Sequence, residues 1–219
     1  MSEFIIYSVP GSPYGRAVLA AMEEKGAHYR FVSVSITTTR AEPHIYRHPF
    51  GRVPALEHDG FMLYETQAIL RYLDRVLPGP SFTPTDPRAA GRMDQVMNIC
   101  DWYLFQGVGN VIGFHRVVGP RLMGIETDET AIAKAMPKAH TVFNELSRLL
   151  GSNAYFAGGA PSLADLLVAP HLDFLTVTPE WETLTSTLPN LRSWLNRMTG
   201  RPSFQATTWE RVADLAPAA

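Results

Sequence analysis

The chain carries a single cysteine, Cys100, among 219 residues. That scarcity excludes an intramolecular disulfide, a CxxC redox pair and a cysteine-rich zinc site together, and it fits a protein of the reducing cytosol. No apolar run approaches the length of a membrane span, about eighteen residues. The N-terminus, Met1-Ser2-Glu3-Phe4-Ile5-Ile6-Tyr7, has no basic segment before its short apolar stretch, so it reads as a strand rather than a secretory leader. Nor is there a dense Lys/Arg run: 19 basic against 21 acidic side chains leave a formal net charge of -2, which argues against nucleic acid as a partner. Internal repeats and low-complexity tracts are lacking too. What is present is a globular composition, 46% hydrophobic, with enough chain for one large domain or two small ones.

The two halves carry different periods. From Phe4 to Val76 short β-rich runs alternate with helical patterns, which marks an α/β unit. Phe4 to Val9 reads as a strand; Pro10-Gly11-Ser12-Pro13 punctuates it; Tyr14 to Lys25 follows as a helix with Gly26 just past its end. Tyr29 to Ser35 alternates like a second strand, and Arg40 to Tyr46 is ambiguous, with room for a short helix. Pro54 to His58 and Phe61 to Tyr64 form a hairpin, because His58-Asp59-Gly60 supplies the positive φ angles of a tight turn. Thr66 can then cap a helix in which Ile69, Tyr72, Leu73 and Val76 fall at i, i+3, i+4 and i+7. Between Leu77 and Arg88 lie Pro78, Pro80, Pro84 and Pro87, a composition that resists helix and sheet and reads as a linker. Beyond it helical patterns take over: Ala89 to about Val111, Asp128 to Leu150, Ser162 to Leu175 and Leu188 to Met198. The expected organisation is an α/β domain at 1–78, a linker at 79–88 and an all-helical domain at 89–219.

Five segments in order then sharpen the picture. Gly11-Ser12-Pro13-Tyr14-Gly15-Arg16-Ala17-Val18, His48-Pro49-Phe50-Gly51-Arg52-Val53-Pro54-Ala55-Leu56, Leu63-Tyr64-Glu65-Thr66-Gln67-Ala68-Ile69, Pro161-Ser162-Leu163-Ala164-Asp165 and Leu188-Pro189-Asn190-Leu191-Arg192-Ser193-Trp194 span nearly the whole chain. Together they resemble the soluble glutathione S-transferases of the serine type (theta, delta and phi), in a bacterial style. The resemblance implies a thioredoxin-like N-terminal domain of order βαβ-α-ββα followed by an all-helical domain. It also implies glutathione as co-substrate without a metal, a small hydrophobic electrophile as second substrate, and a homodimer in the cytoplasm.

The chemistry this implies is stabilisation of a thiolate. A free thiol with a pKa of about 8.5 is mostly protonated at neutral pH, and only the thiolate attacks. A hydroxyl at a helix N-terminus helps through a hydrogen bond to the anion and through the helix dipole. Lowering the thiol pKa by two units needs roughly 2.7 kcal/mol, within reach of such a pair of effects. Ser12 is the first candidate donor, four residues before Arg16 as in the theta-like and delta-like motif; by itself a Ser in this turn also reads as a helix N-cap. Tyr7, the position where the alpha, mu and pi classes keep a tyrosine, is the second candidate, with Ser8 behind it. Three more residues separate Tyr7 from Arg16 than in those classes.

For the rest of the tripeptide the resemblance implies a cis peptide at Val53-Pro54, with the Val53 backbone pairing with the cysteinyl unit. Glu65 would meet the γ-glutamyl ammonium. Thr66, where the family usually has serine, would help hold the adjoining carboxylate at a helix start. Arg52 and Arg40 would face the glycyl carboxylate; a lone arginine otherwise reads as a solvated charge. His48 stands where the family has asparagine and receives no role. Tyr103, Phe105, Phe114, Phe174 and Trp209 are candidates to line the electrophile pocket, each also explicable as core. Phe50 matches an aromatic that some classes insert into the partner subunit. Ser162 and Asp165 form an S-x-x-D capping arrangement with a structural role. The same thiolate could serve dehalogenation, ether cleavage, isomerisation or peroxide reduction, and a fold of this kind can also persist as a non-enzymatic ligand-binding module.

Overall fold

A computed structural model describes residues 3–215. The outermost positions of the domains expected at 1–78 and 89–219 therefore lie outside the described residues. The chain forms two compact units, one running to Thr83 and including the residues from Gly200 onward, the other from Pro84 to Thr199.

In the first unit the elements are β1 (Phe4–Ser8), α1 (Pro13–Glu24), β2 (Arg30–Ser33), α2 (His44–Arg47), β3 (Ala55–His58), β4 (Phe61–Tyr64) and α3 (Thr66–Val76). The sheet order is β2-β1-β3-β4, with β1 parallel to β2, antiparallel to β3, and β3 antiparallel to β4. All five residues of β1 are buried, because this central strand is covered on both faces. The hairpin turn has Asp59 and Gly60 at φ +49° and +84°, the mirror-image turn that suits the right-handed twist of the flanking strands. On α3, Ile69, Leu70 and Leu73 are fully buried and this helix packs against α1; each such side chain contributes about 1.5–3 kcal/mol of apolar burial.

Two polar clasps close the first unit. Glu24, at the end of α1, receives a fork of hydrogen bonds from Arg201 (2.6 and 2.7 Å) and a third from the Ser203 hydroxyl, which fastens α9 (Pro202–Ala206) to α1. This explains why the residues after Gly200, counted with the helical domain by sequence pattern, cluster with the sheet. Asp74 on α3 accepts from the Phe82 N–H (2.8 Å) and from the Ser81 and Thr83 hydroxyls (3.0 and 2.8 Å), while Lys25 bridges to it at 2.9 Å. The Pro-rich segment is thus pinned at 81–83 by side chains rather than by secondary structure. A last helix, α10 (Trp209–Leu215), completes the unit.

The second unit is all-helical. Helix α4 (Pro87–Ile99) starts at an Asp86 cap and runs directly into a helix of wider, i→i+5 winding over Cys100–Met123. That stretch contains Gly107, Gly109, Gly113 and Gly119, which weaken ordinary α-helical propensity. Then follow α5 (Glu129–Leu150), α6 (Leu163–Leu175), α7 (Glu180–Thr185) and α8 (Pro189–Thr199). Asp165 forms the capping box of α6: its Oδ2 accepts from the Ser162 N–H (2.8 Å) and hydroxyl (2.7 Å). Its Oδ1 accepts from the Phe156 N–H (3.0 Å) and the Trp194 indole (2.8 Å). A fully buried carboxylate is tolerated because four donors satisfy it. Among the described residues no helix is long and apolar enough to cross a membrane.

Candidate active site

The strand register gathers the candidate segments. Tyr7 on β1 pairs with Ala55 on β3, and Ala55 pairs with Tyr64 on β4. The chain therefore leaves β1 toward Ser12, enters β3 from Val53-Pro54 and leaves β4 toward Glu65-Thr66 at the same end of the sheet. This is the end where open α/β sheets receive ligands, just outside the strand termini.

Ser12 is the N-cap of α1, with Pro13 in the first helical turn. Its Oγ accepts from the Gly15 N–H at 3.2 Å, and its carbonyl accepts from the Arg16 N–H at 2.8 Å. Accepting through a lone pair leaves the hydroxyl proton free to be donated outward. The two competing hydroxyls differ. Tyr7 is buried, and its OH donates to Glu57 Oε2 at 2.8 Å while the Arg47 guanidinium stacks 4.1 Å above its ring. Burial, followed by the Glu57 hydrogen bond and charge, raises the Tyr7 pKa, so this phenol holds its proton for Glu57. Ser8 is fully buried, and its hydroxyl makes a long contact, 3.5 Å, to the Val9 carbonyl.

Glu65 sits between β4 and α3 at φ +71°, ψ 113°, a backbone conformation rarely adopted by a residue with a side chain. Its side chain is exposed and does not cap its own helix. Holding a non-glycine residue there costs on the order of 1–3 kcal/mol, and strain of this kind clusters at functional sites. Thr66 follows as the first residue of α3 and is buried. The Val53–Pro54 peptide is cis, as the resemblance implied, and Val53 packs against Ile5, Tyr7, Val34 and Ala55.

Arg40, Arg52 and Glu65 line one cleft with Ile45, Pro49 and Phe50, of about 470 Å³. Two cations and one carboxylate thus face a single space. Gly51 makes the rim possible: it has φ +60°, and a Cβ there would lie 2.6 Å from Arg40 Cγ. Beneath the rim are two buried histidines, His44 and His48. The His48 ring packs on Tyr64 (centroids 4.9 Å apart), and burial, above all, lowers its pKa to about 4.

The aromatic candidates scatter. Trp209 lies over Gly11 in the first unit, where a Cβ would come within 2.3 Å of the indole. In the helical unit Phe105 packs edge-on to His171, Phe114 to His115, and Phe174 against Gly113, whereas Tyr103 is exposed. Sequence reasoning missed Ile45 and Pro49 as cleft walls and His44 as a buried group; a four-residue helix offers too little periodicity to reveal which of its faces is covered. Among the described residues no cluster of His, Cys, Asp or Glu could hold a metal ion.

A four-stranded β2-β1-β3-β4 sheet with a cis-proline before β3 defines a thioredoxin-like unit, which here is followed in the chain by an all-helical one. The chain belongs to the glutathione S-transferase family: residues 2–75 match the model of the family's N-terminal domain and residues 108–202 that of its C-terminal domain. It is 29% identical to glutathione S-transferase F7 of Arabidopsis thaliana over 207 residues, covering 93% of this chain and 98% of that one. Its fold superposes on glutathione transferase F7 from Populus trichocarpa with a TM-score of 0.82 at 25% identity, over 98% and 100% of the two chains. A glutathione S-transferase-I solved with the ligand lactoylglutathione gives a TM-score of 0.82 at 26% identity, over 97% and 99%.

Proposed function

We propose that Ser12 holds the thiolate in this glutathione transferase, while Arg40, Arg52, Val53, Glu65 and Thr66 hold the tripeptide. The observation that supports the reading is the division of labour between hydroxyls: Ser12 accepts from Gly15 and keeps its O–H to donate, whereas the Tyr7 O–H is already engaged as a hydrogen-bond donor to Glu57. Donation from Ser12, aided by the positive end of α1, favours the thiolate over the thiol. Glu65 meets the γ-glutamyl ammonium and the Thr66 hydroxyl the adjoining carboxylate. Arg40 and Arg52 take the glycyl carboxylate, and Val53 pairs its backbone with the cysteinyl unit. The cleft volume is in the usual range for a small-molecule site.

The reaction is nucleophilic conjugation. The thiol proton passes to solvent, sulfur forms a bond to the electrophilic carbon, and the leaving group departs with its electron pair. The second substrate in this reading is a small hydrophobic electrophile, the enzyme works in the cytosol, and it is a homodimer in which Phe50, 64% exposed, is an anchor. Steady-state turnover of an activated aryl chloride tests the assignment. Ser12→Ala should lower kcat by a factor of roughly 10 to 100 with little change in KM for glutathione, because the hydroxyl acts on the thiolate. An unchanged kcat would remove Ser12 from the role.

A further inference from the structure

His44 is 2% exposed, and its Nε2 lies 2.7 Å from the carbonyl oxygen of Arg52. A carbonyl can only accept, so Nε2 carries the proton. Nδ1 is buried with no hydrogen-bond partner among the described residues, so the bond from Nε2 is the one that fixes the ring. The acceptor matters more than the donor here. The Arg52 carbonyl and the Val53 N–H belong to one planar amide, so fixing the oxygen fixes the direction in which the N–H points.

We infer that His44 is a positioning residue for glutathione: its Nε2–H anchors the Arg52 carbonyl and thereby aims the Val53 N–H at the cysteinyl carbonyl of the substrate. This rests on the assignment of Val53 made above. Two effects act in the same direction. The bond restricts rotation of the amide plane, which removes an ordering cost from binding. It also polarises the amide, which makes its N–H a better donor. The neighbouring loop supports the arrangement: the His48 N–H donates to the His44 carbonyl at 3.0 Å and the Gly51 N–H to the His48 carbonyl at 2.8 Å, so His44 and Arg52 belong to one hydrogen-bonded turn.

The test compares His44→Phe, which keeps a planar ring but removes the donor, with His44→Gln, whose amide nitrogen can replace Nε2. Glutathione affinity is read by calorimetry, and kcat is read at saturating glutathione. His44→Phe should weaken glutathione binding about five- to tenfold with kcat unchanged within twofold, and His44→Gln should restore binding to within about twofold of wild type. Wild-type affinity in His44→Phe, or equal loss in both variants, would overturn the proposal. A glutathione analogue with a methylene in place of the cysteinyl carbonyl separates the underlying assignment from this one. If the wild type binds it as well as glutathione, the Val53 contact itself is wrong and His44 has nothing to aim. If the wild type discriminates and His44→Phe discriminates less, both stand.

Discussion

Replacing Asp74 by asparagine should destabilise the protein by about 3 kcal/mol at pH 7. The Asp74 and Lys25 side chains are 3% and 2% exposed and 2.9 Å apart. Removing one partner of a buried ion pair typically costs about 3–5 kcal/mol, because the other charge is left in low dielectric. The lower end applies here, since Lys25 Nζ still donates to the Pro80 carbonyl at 2.7 Å and asparagine keeps an acceptor for the Phe82 N–H. Acid should narrow the difference. Burial raises the Asp74 pKa, but the Phe82 N–H, the Lys25 ammonium and the Thr83 and Ser81 hydroxyls outweigh it and leave the carboxyl below its ordinary value. For such a depressed acid the stabilisation is present in full above the unfolded pKa of about 3.9 and is lost as pH falls through the folded one. Urea unfolding followed by circular dichroism at pH 7, 5 and 4 should therefore show a constant gap between wild type and Asp74→Asn down to about pH 5 and the start of its decline by about pH 4. Glutathione affinity should hold in the folded variant, because Asp74 lies eight residues, about 12 Å, along α3 from Thr66. A gap under about 1 kcal/mol at pH 7, or one that widens in acid, would refute the reasoning.

Glu65→Gly relieves the positive φ angle and should raise stability by roughly 1 kcal/mol in the same urea assay. It should also weaken glutathione binding at least tenfold through loss of a charge-assisted contact; gain of stability without loss of affinity would separate the strain from the site. In the homodimer proposed above, Phe50→Ala should weaken self-association in sedimentation velocity by at least tenfold in Kd, as expected for an aromatic interface anchor. An unchanged Kd would show that this exposed ring serves only the cleft.

Much of this was legible because periodicity and turn chemistry agree. The Asp59-Gly60 hairpin, the Ile69-Leu73 face of α3 and the Ser162-Asp165 box each combine a pattern with a residue whose chemistry allows only a few local structures. Ser12 is a candidate because its motif points to it, and its N-cap position was legible in the turn chemistry, while the engagement of the Tyr7 hydroxyl by Glu57 is a long-range geometry that no spacing encodes. The short helices α7, α9 and α10 escaped notice because five to seven residues cannot express a 3.6-residue period. The helix that begins at Ala89 was expected to end near Val111, whereas the wider winding carries on to Met123 through glycines that read as stops. His44 was invisible for another reason: its partner is a backbone carbonyl, which has no sequence signature.

The central claim is that Ser12 lowers the pKa of bound glutathione, and the ultraviolet absorbance of the thiolate reports it directly. In wild type the bound thiol should titrate about two units below its value in water, and Tyr7→Phe should leave that value in place. Ser12→Ala should raise it by about one unit or more while glutathione stays bound. A wild-type thiol that titrates as it does in water, or a Ser12→Ala variant indistinguishable from wild type, would contradict the account.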